Sequence, residues 1–210
     1  RQEGLTLDEW WNLRIAPKKT KFEIEQEYPA TLEEALSLSA TLRYLDQAAL
    51  QDMLYQVMSP IKCNEVNARN GIIEVYKPSI IGEKYCLWTD PSDGVDDPFH
   101  TVVLSVRTGE GVCEAGGMLR VEEGAKIHDE LVRYYNSCSN SYEVNASAGG
   151  AFGAILNNLE TPNQAPRRKI EGDIVKDKFG QYITPQHKKR NIEAFEMPIR
   201  KRLIISHRRA

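Results

Sequence analysis

Asp90 and Glu143 are the side chains best placed by their surroundings to do chemistry. Asp90 ends the run Lys84-Tyr-Cys-Leu-Trp-Thr-Asp90 and is followed by Pro91-Ser-Asp-Gly94. Glu143 stands in Ser141-Tyr-Glu143-Val-Asn145, followed by Ala-Ser-Ala-Gly149-Gly150. Each is a short apolar or aromatic run that reaches a carboxylate and then turns at glycine, the pattern of a strand arriving at the rim of a sheet. Two carboxylates delivered from neighbouring strand ends can hold Mg²⁺ or Mn²⁺, because hard divalent cations prefer oxygen donors. Metal pairs at such a rim stabilise both the attacking and the leaving oxygen of a displacement at phosphorus, so phosphodiester hydrolysis is the leading chemistry.

Both acids have plainer readings. Asp before Pro favours turn initiation, which could be all that Asp90 does. Glu143 is harder to explain that way, since a carboxylate inside an apolar strand costs several kcal/mol if unpaired and calls for a metal or a basic partner. After it, Asn145 and the Ala148-Gly149-Gly150 turn open a helix. Free amides at a helix start favour phosphate, and glycine lets a polyanion approach the backbone; close helix packing explains the same residues equally well.

The elements that must carry these residues follow from periodicity. Strands are predicted at 72–76 (an edge), 85–88 (buried) and 100–106, the last pairing with 85–88 through the acidic loop 90–98. Residues 112–115 and 118–121 read as one more strand interrupted at Gly116-Gly117. A helix follows at 123–136 with Ile127, Leu131 and Tyr134 or Tyr135 inward, then a strand at 142–144 and a helix at 149–159. The order describes a mixed α/β sheet whose active edge lies where the 85–88 and 142–144 strands are neighbours. Upstream, Thr31-Leu-Glu-Glu34 has capping-box spacing, and a helix at 46–58 places Leu50, Leu54 and Val57 on one face and stops before Pro60. Residues 1–70 read as a linker or adaptor segment and 71–210 as the catalytic domain.

Composition excludes several classes. The 210 residues carry no apolar run near the roughly 20 that cross a bilayer, and the first residues are no signal peptide. The sequence starts at Arg1 instead of Met and so reads as a fragment. Cys63, Cys86, Cys113 and Cys138 are isolated and read as reduced, structural thiols. His100, His128, His187 and His207 read as surface or turn residues. No G-x-x-x-x-G-K-[ST] is present, so the sequence has no phosphate loop of that type.

Charge is divided along the chain. Residues 161–210 hold 13 Lys/Arg against 5 Asp/Glu, a net of +8, so the total of −3 leaves −11 for residues 1–160. The basic groups cluster at Arg167-Arg168-Lys169, Lys188-Lys189-Arg190, Arg200-Lys201-Arg202 and Arg208-Arg209. An acidic metal-binding part joined to a basic part that grips a polyanion fits this split; a solvated helix face fits the basic clusters too. Among them, Lys188, Lys189 and Arg190 are the candidates for gripping a DNA backbone.

With these residues in view, the chain resembles the nuclease domain of tailed-bacteriophage large terminase subunits. The resemblance rests on Lys84 to Gly94 with Asp97 and Thr101-Val-Val-Leu104, on Glu143-Val-Asn145 with Gly149-Gly150, and on their order. Phe22-Glu-Ile-Glu-Gln-Glu27 through Ala35 resembles the segment that links the packaging ATPase to the nuclease. Gly180-Gln-Tyr-Ile-Thr184, Arg190-Asn-Ile-Glu193 and Arg202-Leu-Ile-Ile205 resemble the stretch after the core strands. The resemblance implies a ribonuclease-H-like fold and metal-dependent cutting of double-stranded DNA concatemers in the host cytoplasm. The terminase small subunit and the portal protein are the partners it implies. It makes Asp90 and Glu143 metal ligands and Asp97 an accessory acid, with Asp93 or Asp96 as substitutes. The family's third core acid has no counterpart and is expected beyond Ala210, which implies weak or absent cutting by this piece alone. Two other classes remain open: a non-catalytic DNA-binding or motor-docking module, and an actin-like ATP-binding domain.

Overall fold

A computed structural model describes residues 45–63, 66, 72–95, 97–145, 147–169, 172–205 and 207. The chain divides at residue 47 into two units, and almost all described residues belong to the second, Ala48–Ala210. The predicted helix start at Thr31–Glu34, the Trp10-Trp11 pair, whose adjacent indoles read in the sequence as packing, and Asp96 lie outside the described residues.

Five strands form the central sheet. β1 (Ile73–Val75), β2 (Tyr85–Asp90), β3 (Phe99–Ser105), β4 (Gly111–Gly117) and β5 (Ser139–Tyr142) lie in the order β1-β4-β3-β2-β5. β2, β3 and β4 are an antiparallel meander, whereas β5 runs parallel to β2. That arrangement, three antiparallel strands with a fourth laid parallel on the first, is the expected ribonuclease-H-like one. The short β1 sits at the edge, as its sequence predicts, but pairs with β4 and leaves β2 to be flanked by β3 and β5.

Alternation within the strands decides which side is covered. Along β3, Phe99, Thr101, Val103 and Ser105 are buried while the intervening residues are more exposed. In β2 the same alternation buries Tyr85, Leu87 and Thr89, sending Asp90 to the opposite side. Helix α2 (Val121–Tyr134) covers the buried side with Ala125, Ile127, His128, Leu131 and Val132. Its first turn carries Glu122 and Glu123, suited to the positive end of the helix dipole. Helix α3 (Ser147–Asn158) packs on α2 and buries Gly149, Phe152, Gly153 and Leu156, a spacing of three and four residues. Phe152 reaches Phe99 and Tyr142, and Tyr135 packs against Tyr85 and Tyr134, so the aromatic pair at 134–135 is packing, as predicted.

Several expectations are corrected. Met118–Val121 is not strand: β4 stops at Gly117, and Val121 opens α2, whose acidic first turn outweighs the β-branched residue. The first described helix, α1, spans Gln47–Tyr55 and ends before Val57. Its predicted inner face is not buried, for Leu54 is 51 % exposed whereas Ala49 is covered. His128 and His207 are not surface residues but are buried, each with hydrogen-bonded ring nitrogens.

Beyond α3 the chain forms a small hairpin, β6 (Pro166–Arg168) with β7 (Ile174–Phe179), and then helix α4 (Pro185–Arg200). Thr184 caps α4 through its hydroxyl and His187 answers with its ring, while Pro185 supplies the preset φ of a first turn. The four cysteines are unpaired thiols, and Cys113 and Cys138 are buried. No described helix is long and apolar enough to cross a membrane.

Candidate active site

The parallel pairing of β2 and β5 brings the two acids together. Thr89 is opposite Tyr142, and the ladder continues one step when the Glu143 N–H donates to the Thr89 carbonyl at 3.0 Å. Asp90 and Glu143 are therefore neighbours on adjacent strands, spaced by roughly the 4.8 Å of a sheet. On its other side Glu143 is held by a parallel bridge to Gln181: Gln181 N–H donates to Tyr142 O at 2.7 Å and Val144 N–H to Gln181 O at 2.9 Å.

Both carboxyls open into a cleft of about 470 Å³ whose lining includes Asp90, Asp97, His100, Glu143, Asn145 and Lys188. Burial raises the Asp90 carboxyl above its ordinary range; Lys188 and His100 oppose the shift and Asp97 adds to it. Glu143 is raised likewise, first by burial and then by the charge of Asp90, with Lys188 again opposing. Carboxyls pushed upward in this way are short of positive charge, the electrostatic condition a cation relieves.

Of the described residues that the sequence singles out for the site, Asp90, Asp97, Glu143, Asn145, Gly149 and Lys188 line this cleft; Asp93 does not, and neither do Lys189 and Arg190. Those two follow Lys188 on the exposed surface of α4. Asp97 is exposed at the cleft, and its carbonyl accepts from the Ser92 hydroxyl, which folds the acidic loop back on itself. Asp93 turns away from that duty: its carboxylate accepts the Val95 N–H at 3.0 Å. Asn145 is spent on the backbone. Its amide donates to Ile183 O, and its oxygen accepts the Ile183 N–H at 2.8 Å. That clamp places Thr184, the cap of α4, and so sets where Lys188 enters the cleft.

Gly149 is demanded by packing. A Cβ there would come within 2.5 Å of the Glu143 carbonyl and 2.6 Å of Val144 Cα, so α3 can sit this close to the acid-bearing strand only with glycine. His100 is a site residue that composition and spacing do not reveal. It lies directly across the β2–β3 ladder from Asp90, and its Nε2 is 3.5 Å from Glu114. Once the hairpin register is known, its position follows from the length of the 91–98 loop alone.

Asp90 and Glu143 supply carboxylate oxygens only, a donor set that fits a hydrated hard cation held by one or two carboxylates and by substrate phosphates. Among the described residues no group of three or more His, Cys, Asp or Glu is arranged to hold a metal ion.

Strand order, crossover and cleft define an α/β protein of ribonuclease-H-like fold with a carboxylate pair at a parallel strand junction. Solved structures with this fold include the large terminase nuclease from thermophilic phage G20c with bound magnesium, at 17% identity, with a TM-score of 0.55 over 74% of this chain and 70% of that one. The same nuclease with bound zinc gives a TM-score of 0.54 at 17% identity, covering 74% of this chain and 77% of the other. The large terminase nuclease domain of Thermus phage P74-26 gives 0.51 at 17% identity, covering 74% and 68%. No family model matches the sequence, and no curated protein matches it.

Proposed function

We propose that this chain is the metal-dependent endonuclease domain of a viral DNA-packaging terminase, hydrolysing phosphodiester bonds of double-stranded DNA. The observation that carries the reading is the adjacency of Asp90 and Glu143 in the lining of one cleft. Nuclease domains of the same fold bind magnesium, zinc and cobalt, which supports a divalent cation, Mg²⁺ or Mn²⁺, at this pair. The terminase small subunit and the portal protein belong to this reading as partners of a longer protein in the host cytoplasm.

In the proposed two-metal-ion chemistry, Asp90 and Glu143 would hold the cations through their carboxylates. When bound, the cation supplies Lewis acidity that steadies charge on the reacting phosphodiester oxygens and acidifies water. Asp97 lies on the same cleft as an accessory acid. Lys188 offsets the acids' charge and, with Lys189 and Arg190 along α4, meets the incoming DNA backbone. Asn145 and Gly149 serve DNA indirectly, by fixing α4 and by keeping α3 close to the strand end.

The test is nicking of supercoiled plasmid in Mn²⁺. Asp90→Asn is expected to abolish it, and undiminished cutting by that variant would sink the assignment. A second reading, a DNA-binding module without catalysis, rests on the exposed basic run Lys188–Arg190 of α4. Salt-sensitive DNA binding with no cleavage by the parent protein in Mn²⁺ would select it.

A further inference from the structure

We propose that His128 is a positioning residue for the acid pair, its imidazole tying the strand that carries Asp90 to the strand that carries Glu143. The inference rests on the reading of Asp90 and Glu143 as cation ligands and adds a residue on the opposite side of the sheet to the cleft. His128 projects from α2 and is 0% exposed. Its Nδ1 is 2.8 Å from the Thr89 hydroxyl, one residue before Asp90, and its Nε2 is 3.0 Å from Asn140 Oδ1, three residues before Glu143. One ring therefore bonds both partners of the β2–β5 ladder.

The tautomer follows from the hydrogen-bond inventory. Asn140 Nδ2 donates to Cys138 O at 3.1 Å and to Pro162 O at 2.7 Å, so the amide oxygen faces the ring as an acceptor. Nε2 must then carry the proton, and Nδ1 accepts from Thr89. Burial pushes the imidazole down to about 4, which keeps it neutral and this pattern intact at ordinary pH. With the single Thr89 proton committed to Nδ1, the Thr101 hydroxyl 2.7 Å away has one proton of its own for either Thr89 Oγ1 or Trp88 O, 2.9 Å off, and so extends the network to β3. Edge-on contacts with Phe152 at 5.4 Å and Tyr142 at 6.4 Å fix the ring plane.

A buried polar group is expensive unless every partner is present, and such networks specify one arrangement over its neighbours. Here the arrangement is the stagger of β2 against β5, which sets the spacing of the two acids. Groups that orient metal ligands from behind are worth ten- to a hundredfold in affinity in other sites.

The experiment compares the parent with His128→Phe, His128→Gln, Thr89→Val and Asp90→Asn, all as the 210-residue chain. Mn²⁺ is titrated, and paramagnetic broadening of the Asp90 and Glu143 amide signals is read beside thermal unfolding; broadening reports even millimolar affinity. His128→Phe and Thr89→Val are expected to unfold cooperatively yet bind Mn²⁺ at least about tenfold more weakly. His128→Gln, which keeps the donor to Asn140, is expected to recover part of the loss. Should His128→Phe not fold, Thr89→Val decides, since it cuts the same link with little change of volume. If Thr89→Val and each folded His128 variant bind as the parent does while Asp90→Asn does not, the positioning role is overturned and the ligand reading stands. If Asp90→Asn also binds as the parent, both fall.

Discussion

At the scale of single residues, the site works against the fold. Partial burial raises the Asp90 carboxyl above its ordinary range, so its ionised form at neutral pH weakens the native state. Asp90→Asn is therefore expected to raise the melting temperature while removing plasmid nicking, a gain of up to about 1 kcal/mol after solvent screening. Differential scanning calorimetry beside the nicking assay checks both signs. His128 acts in the other direction. Its pKa falls from the ordinary 6.5 to about 4 in the folded protein, so between those values the unfolded chain takes up a proton that the native chain refuses. Stability then falls as pH drops from 6.5 towards 4, by about 3 kcal/mol at full extent. Urea unfolding at pH 7 and pH 4.5 measures the loss, and His128→Gln should flatten it. That Asp90 and Glu143 meet at one rim was legible in the sequence because strand-end acids before glycine turns are conspicuous. His128 was not, since a lone histidine in an amphipathic helix looks the same whether its face meets water or a threonine.

At the scale of elements, the decisive contact is α3 against the end of β5. The obstacles to a Cβ at position 149 are backbone atoms of Glu143 and Val144, which cannot swing aside as a side chain would. Gly149→Ala is expected to cost about 1–3 kcal/mol of stability and to weaken Mn²⁺ binding, because the helix can be accommodated only by moving the acid-bearing segment. Urea midpoints and a Mn²⁺ titration report the two effects. The sheet strands were readable because alternation and turn residues agree. β6 and β7 were not, for Ile174–Phe179 is almost wholly exposed and carries no buried face to generate a pattern. Helix α4 was not read either: Thr184-Pro185 is a start signal, but Pro198 inside the helix and a single buried residue, Ile199, blur the periodicity that would reveal it.

At the scale of the whole molecule, the charge division seen in the sequence is only partly available to a polyanion. Arg167 and Arg168 brace the β6–β7 hairpin through carbonyls of Phe179, Gly180 and Gly172, Arg200 pairs with Glu196, and Arg202 pairs with Asp52. Lys188 stands at the rim of the cleft, and Lys189 and Arg190 follow it along α4. Replacing Lys188, Lys189 and Arg190 by alanine should lower the slope of log affinity against log salt for duplex DNA by about 2 to 3, at roughly 0.9 per lost phosphate contact. Fluorescence anisotropy over a salt series measures it, and an unchanged slope would remove the cluster from the DNA interface. Far from the cleft, His207 accepts the Met58 N–H at 3.3 Å and meets Glu110 at 2.7 Å, while Ile205 pairs with Gly109 and Gly111. Tension applied between residues 58 and 207 would thus be borne first by one imidazole and a short stretch of backbone. The strands holding the acids lie outside that load path, so in an optical trap the tail should peel away at low force while the sheet stays whole.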